Sequence, residues 1–288
     1  VTPSSLHIGD FLLDTASVLQ IIEDIAAREV RPFFGKLSST DIQKKSDGSL
    51  VTPVDPAVEA LLSSQLKRLL PDAVILGEEA TAEDPAHLDL LSLSEKPIWV
   101  IDPLDGTSNF AAGRPEFAMI VALVHRNKTL AGWIYDVLGH RAAVAVAGKG
   151  AFLAGEQVLF NQNQPLLWSN IRGGWTINAI DPAHRGSVKA AAAQFRTITN
   201  AHCAAFEYLS ILENRKDFHL FNRLKPWDHC AGALMLQEAG GRALRLIDGT
   251  TYTPNVSDGG LLVGSKYEYL QQLRQFFVNP SDKKEHRD

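Results

Sequence analysis

Apolar positions follow different rhythms in different parts of the chain. Ile8, Leu12, Ala16, Leu19, Ile22 and Ala26 recur at three- and four-residue steps, which predicts one amphipathic helix over 8–26. The polar stretch 43–49 contains Asp47-Gly48, a turn signal. Asp55-Pro56 then reads as an N-cap followed by proline at the first helical position. Val58, Leu61, Leu62, Leu66 and Leu69 form that helix's buried face, and Pro71 stops it. The middle of the chain changes to strands. Apolar runs at 98–101, 117–124, 131–137 and 142–147 follow at meander spacing, separated by polar turns such as Arg126-Asn127-Lys128. From about residue 165, short apolar runs at 197–199, 242–247 and 261–263 alternate with helical stretches at 186–195, 202–214, 228–239 and 265–278. That alternation is an α/β signature. A boundary at 150–165 would separate an N-terminal α+β domain, 1–160, from a C-terminal α/β domain, 161–288. The polar residues 279–288 read as a frayed end.

Composition narrows the class. Lys and Arg total 28 against 33 Asp and Glu, a net charge of −5 that argues against a nucleic-acid or membrane partner held by charge. With 45% hydrophobic residues the chain can bury a core, so disorder is excluded. No apolar run approaches a membrane span, and no basic, apolar, small-residue order marks an export signal at the N-terminus. The chain begins on Val1 rather than Met, and its natural start is expected upstream. Two cysteines, Cys203 and Cys230, form no metal or redox spacing, which fits a reducing cytoplasm.

Chemistry concentrates where apolar runs end in acid. Trp99-Val100-Ile101 delivers Asp102 and Asp105 to a strand end, with the Leu104 carbonyl between them as a further oxygen. Gly106 permits close backbone approach. If Thr107 opens a helix, its amide and that of Gly106 can receive phosphate oxygens. The spacing does not fit an EF-hand, because Gly113 stands where the closing glutamate belongs. Ile75-Leu76-Gly77 ends in Glu78-Glu79, and Asp228 stands near the start of a helix. Taken singly, the Asp-Gly step reads as a surface turn, Glu78 as a solvated acid and Asp228 as a cap. Together, three acidic element ends suit hard divalent cations, which prefer several oxygen ligands.

Asp102-Pro-Leu-Asp-Gly-Thr-Ser-Asn-Phe110, Gly77-Glu-Glu79, Val51-Thr-Pro-Val-Asp55 and Trp227-Asp-His-Cys-Ala-Gly232 resemble, in order and spacing, the signatures of the inositol monophosphatase family. The turn Gly148-Lys-Gly150-Ala-Phe152 resembles it too. The resemblance covers nearly the whole chain. It implies a layered αβαβα sandwich and a lithium-sensitive, Mg²⁺-dependent phosphomonoesterase with two or three ions, usually a homodimer. Carried over by motif, Glu78, Asp102 and the Leu104 carbonyl would hold one ion, and Asp102, Asp105 and Asp228 a second. Thr107, oriented by Asp55, would position the attacking water, with Glu78 close by.

The chain departs from the family where substrate is gripped. A Gly-Ser/Thr-Ala step is replaced by His202-Cys203-Ala204. A hydroxyl-binding glutamate is replaced, by count, with Phe221. The walls predicted from this are His202, Cys203, Phe221 and Lys225, with His229 beside them. Cys203 and Cys230 are expected as small buried fillers. Arg223 and Lys225 read equally as a second anion site or as solvated charge. The substrate is therefore expected to be a small phosphorylated metabolite. Inositol phosphate leads by family, and fructose 1,6-bisphosphate, histidinol phosphate and nucleotide phosphates remain open. Asn109-Phe110 favours the inositol branch over the nucleotide branch. An alternative from another class is a regulator that binds RNA or transcription machinery.

Overall fold

The computed structural model describes residues 5–8, 11–163, 167–176, 178, 180–183 and 185–278. Its N-terminal part differs from the predicted helix over 8–26. β1 (Ser5–Ile8) and β2 (Phe11–Asp14) pair as an antiparallel hairpin that leaves Leu12 57% exposed. Helix α1 (Thr15–Ile25) begins only after Asp14, whose carboxylate accepts from the amides of Ala16 and Ser17 at 3.1 and 3.2 Å. The cap overrides an apolar spacing that the hairpin residues matched by coincidence. Ala26 falls in a π-helical turn, Ala26–Val30.

β3 (Gln43–Lys44) and β4 (Leu50–Val51) close the expected polar turn, and α2 (Val54–Leu69) follows. Asp55 is not its N-cap. The cap position is Pro53, and Asp55, the second helical residue, reaches back to the Thr52 amide at 2.8 Å. Val58, Leu62 and Leu66 are fully buried as expected, while Leu61 sits at the edge with 36% exposure.

β5 (Val74–Gly77) runs straight into α3 (Glu78–Glu83), and α4 (Leu90–Leu93) leads to β6 (Ile98–Asp105). A short α5 (Thr107–Ala111) precedes the meander β7 (Ala118–His125), β8 (Lys128–Asp136), β9 (Arg141–Val146), β10 (Gly150–Leu153) and β11 (Glu156–Val158). These strands form a seven-stranded sheet in the order β11-β10-β9-β8-β7-β6-β5, antiparallel except for the parallel β5–β6 pair.

The C-terminal half contributes β12 (Arg172–Trp175), α6 (Arg185–Ala191), β13 (Thr197–Ile198), α7 (Ala204–Leu212) and β14 (Phe218–Phe221). Then come α8 (Pro226–Glu238), β15 (Arg242–Arg245), β16 (Leu261–Gly264) and α9 (Tyr267–Val278). A five-stranded sheet runs β13-β12-β14-β16-β15. Two of its strands escape the apolar pattern. β12 is half glycine, and β14 carries the buried His219.

Side-chain alternation along the strands builds the layers. Trp99 and Ile101 of β6 join Val18, Ile22, Val58 and Leu62 on one face of the large sheet. Ile98 and Val100 face the other way, onto Tyr208 and Leu209 of α7 and Met235 of α8. Leu261 and Val263 of β16 close the far side of that same cluster, while Leu262 points to a third one with Leu270, Leu273 and Phe277. The order is helices, sheet, helices, sheet, helices, the expected αβαβα sandwich. The sheets change over between β11 and β12, yet α7 and α8 give one hydrophobic cluster to both, so packing crosses the 160 boundary. The Gly148–Gly150 turn packs on the end of α8. Its amides hold the Glu238 carboxylate at the end of α8, both at 2.9 Å.

Candidate active site

All eight residues of β6 are buried. Its pairing with β7 shifts register between Asp102 and Asp105, where three steps on β6 oppose two on β7. Such a bulge bends the strand and re-aims its side chains. Asp102, 1% exposed, accepts from the Leu104 amide at 3.0 Å. The Asp105 carboxylate crosses to α7, where it accepts from the amides of Ala204 and Ala205 at 3.2 and 2.6 Å and from the Cys203 thiol at 3.0 Å. An acid from the large sheet thus caps a helix from the other half of the chain.

Gly106 turns the chain from β6 into α5 with φ +86°, a left-handed conformation suited to glycine. A Cβ there would lie 2.8 Å from the Glu116 carbonyl oxygen and 3.2 Å from the Cys203 Cβ. Thr107 follows, its hydroxyl 3.1 Å from Asp55 Oδ1 and 3.0 Å from the Leu104 carbonyl. The other Asp55 oxygen is held by the Thr52 amide and hydroxyl. Motif residue Asn109 is buried and donates to the carbonyls of Glu116 and Ala201, at 2.7 and 2.8 Å.

Glu78 opens α3. Its carboxylate and that of Glu79 share Lys45, from the β3–β4 turn, at 2.8 and 2.7 Å. Glu79 belongs to the acid pair legible in the sequence; the roles of Lys45 and Glu59 were not foreseen. Lys45 reaches the acids only because the hairpin folds over them. Glu59 had a legible signal, an acid four residues after Asp55 on the buried stripe of α2. It accepts from the amides of Glu79 and Ala80 at 2.8 and 2.9 Å, supplying the cap that α3 lacks. A Cβ on Gly77 would lie 2.2 Å from the Glu59 carboxyl carbon, so this close approach requires glycine.

Electrostatics ties the acids together. Burial, then repulsion by Glu78, Asp105 and Asp228, pushes the Asp102 carboxyl well above its ordinary range. Asp228, in the first turn of α8, is driven the same way by burial, Asp105 and Glu78. Asp105 is raised by burial despite its three donors. Burial lifts Glu79 to about 7, and burial with Asp105 keeps the Cys203 thiol protonated. Lys45 is pulled down by burial but held above its usual value by Glu78 and Glu79. Among the described residues no three His, Cys, Asp or Glu side chains stand ready-arranged to hold a metal ion, with Glu78 engaged by Lys45. The chemistry of the donor set nevertheless suits a hard cation. It offers oxygen atoms only, and its mutual repulsion would be relieved by positive charge.

Glu78, Asp102, Asp105 and Asp228 line one cavity of about 490 Å³ with Gly106 and Thr107. The turn at 45–50 forms one side, and His202, Arg223, Lys225 and Trp227 another. Of the predicted walls, His202 and Lys225 face this space. Cys203 lies beneath it against Asp105. Phe221 turns into a ring cluster with Tyr208, His219 and His229 at centroid distances of 5.5, 4.4 and 4.7 Å. His229 is not a wall either. It is buried, with Nε2 2.7 Å from the Arg223 carbonyl and Nδ1 3.1 Å from the Tyr208 hydroxyl. Both cysteines are buried and free, as expected. His202 has φ +55°, which accounts for glycine in the family pattern at this step.

The profile of the inositol monophosphatase family matches residues 13–278. Inositol monophosphatase 2 of Solanum lycopersicum is 31% identical over 216 residues, 73% of this chain and 80% of its own. The chain belongs to the inositol monophosphatase family. That membership supports a phosphatase. The Nus factor SuhB of Vibrio cholerae is also 31% identical, over 81% of this chain and 85% of its own. Inositol monophosphatase-II from Staphylococcus aureus shares the fold with TM-score 0.75 at 24% identity, covering 92% of this chain and 93% of that one. An IMPase from Thermotoga maritima does so with TM-score 0.74 at 21%, covering 91% and 96%.

Proposed function

We propose that the protein is a Mg²⁺-dependent phosphomonoesterase that hydrolyses a small phosphorylated metabolite by direct attack of water. The observation that carries this reading is the Thr107–Asp55 contact of 3.1 Å at the edge of a cavity lined by four acids. Asp55 Oδ2 is saturated by Thr52, so Oδ1 is left to take the Thr107 hydroxyl hydrogen. The Thr107 oxygen then offers lone pairs to a water and aims that water's oxygen at phosphorus. Glu78 lies on the same cavity and is placed to take up the water's proton. The amides of Gly106 and Thr107 receive phosphoryl oxygens.

Glu78 and Asp102 with the Leu104 carbonyl would hold one Mg²⁺, and Asp102, Asp105 and Asp228 another. Bound there, such ions neutralise phosphoryl charge and acidify water. Phosphoryl transfer needs mainly positioning and charge compensation, so the serines that line the cavity, Ser46, Ser49 and Ser108, are not needed as nucleophiles. Atoms balance simply: water gives its hydroxyl to phosphorus, and a proton ends on the leaving oxygen.

Inositol monophosphate is one substrate within this class. The SuhB relatives are named Nus factors, and a regulator free of catalysis would have no need of these acids, every one of which this chain keeps. A homodimer in the cytoplasm completes the reading, and sedimentation velocity tests the dimer. The deciding experiment measures phosphate release from a panel of phosphomonoesters with and without Mg²⁺. Release that requires Mg²⁺ supports the reading, and no release from any ester contradicts it.

A further inference from the structure

Positive charge gathers on one short connector beside the acids. β14 ends at Phe221 and α8 begins at Pro226; between them Arg223 and Lys225 line the cavity while Leu224 is 2% exposed. The connector is moored at several points. Leu224 is sunk in the core, Pro226 occupies the first position of α8, and His229 binds the Arg223 carbonyl at 2.7 Å. That carbonyl can only accept, so His229 donates from Nε2 and its Nδ1 accepts from Tyr208. A buried chain of side chains therefore fixes the stretch that presents two cations to one space. Solvated surface charge needs no such mooring.

Neither cation is fully used. Lys225 Nζ lies 5.5 Å from the Trp227 ring centroid and makes no ion pair among the described residues. Arg223 touches Asp47 through two long contacts, 3.4 Å to the carboxylate and 3.2 Å to the carbonyl, which leaves other guanidinium donors without a partner among the described residues. Phe221, at the place where the family pattern puts a hydroxyl acceptor, is turned into the ring cluster.

We propose that Arg223 and Lys225 form a second phosphate subsite, so that the preferred substrate is a small bisphosphate with one phosphoryl group at the Gly106–Thr107 turn and the other between these two cations. This rests on the phosphatase reading above. Arginine supplies a planar fork and lysine a compact charge, a pairing suited to a phosphate dianion. The cavity, about 490 Å³, is of a size that takes small molecules. Arg223 exchanges its loose hold on Asp47 for the phosphate, which also draws the 45–50 turn into the recognition.

The test compares fructose 1,6-bisphosphate with fructose 1-phosphate, which differ only in the second phosphate. The ratio of kcat/KM should be at least about tenfold in favour of the bisphosphate and should shrink as salt is added. In the Arg223→Gln/Lys225→Gln double variant the ratio should fall towards one. Lys67→Gln, an exposed lysine on α2, is the charge control and should leave the ratio unchanged. A ratio near one in the unaltered protein, or one that survives in the double variant, overturns the proposal. Calorimetry with the phosphonate analogues of both esters, in Mg²⁺, reads the subsite without turnover. Tighter binding of the bisphosphonate, lost in the double variant, upholds the subsite even if no ester is hydrolysed, and in that case only the phosphatase reading fails. Equal affinities overturn the subsite.

Discussion

Replacing Glu59 by alanine tests how the fold places Glu78. Glu59 is 7% exposed, and its carboxylate accepts from the amides of Glu79 and Ala80, the second and third residues of α3. Alanine leaves both amides without an acceptor, in a notch that Gly77 has shaped around the missing carboxylate. An unpaired buried amide costs about 1–2 kcal/mol, so the total is ~3 kcal/mol. For a chain of 288 residues that corresponds to a fall in Tm of ~5 °C, measurable by calorimetry. The functional consequence separates capping from mere stability. Glu78 is the first residue of α3, and a frayed helix start displaces its carboxylate. The Mg²⁺ concentration for half-maximal phosphate release should rise severalfold in Glu59→Ala, at a temperature where the variant is still folded. A Tm within about 1 °C of the unaltered protein would refute the capping argument. A full stability loss with an unchanged Mg²⁺ requirement would refute the link to Glu78.

Thr107→Ala should lower kcat on the order of 100-fold with little change in KM, because the hydroxyl orients water rather than holding substrate; a loss confined to KM would reassign Thr107 as a substrate contact. Li⁺ at tens of millimolar is expected to inhibit phosphate release, with Asp105 and Asp228 shaping its site, and insensitivity in an active enzyme would count against a second cation site there. The buried ion cluster of Glu207, Lys216 and His219 predicts an acid limb of stability. Burial alone would raise the Glu207 carboxyl, but His219, Lys216 and the Ala201 amide outweigh it and bring it down to about 2 from 4.5. A depressed carboxyl adds stability above its unfolded pKa, here ~3 kcal/mol, and loses it as pH falls from about 4.5 towards about 2. Urea unfolding across that range should show the loss, and a Glu207→Gln variant that keeps the same acid slope would contradict the assignment.

What could be read from the chain was local. The strands of the meander, the stripe of α2 and the acids at the ends of β5 and β6 each announce themselves within a few residues. What the sequence hid is the traffic between distant segments. Asp105 caps α7 and Glu59 caps α3 across sequence gaps of 99 and 20 residues, so neither cap obeys a spacing rule. Lys45 sits in a stretch whose polarity marks only a turn, and its pairing with Glu78 exists once that turn folds onto α3. Phe221 shows the same limit. Its place by count next to Trp227-Asp228 suggested a wall, but ring packing with Tyr208 and His229 draws it inward. Over 8–26 the apolar spacing runs on through the Asp14 cap, which is where the helix begins. Family motifs carried the site because they record such long-range arrangements as short strings.

Asp102 stands at the centre of the acid cluster, and its carboxyl is raised by burial and by all three of its acidic neighbours. The most direct test of the account measures phosphate release by a folded Asp102→Asn variant beside the unaltered protein, across a Mg²⁺ titration. Thermal melting without metal serves as the folding control, and there the variant should be at least as stable, because one repelling charge is gone. The unaltered protein should release phosphate in a Mg²⁺-dependent manner, and Asp102→Asn nearly none at any Mg²⁺ concentration. Near-normal Mg²⁺-dependent release by the variant would contradict it.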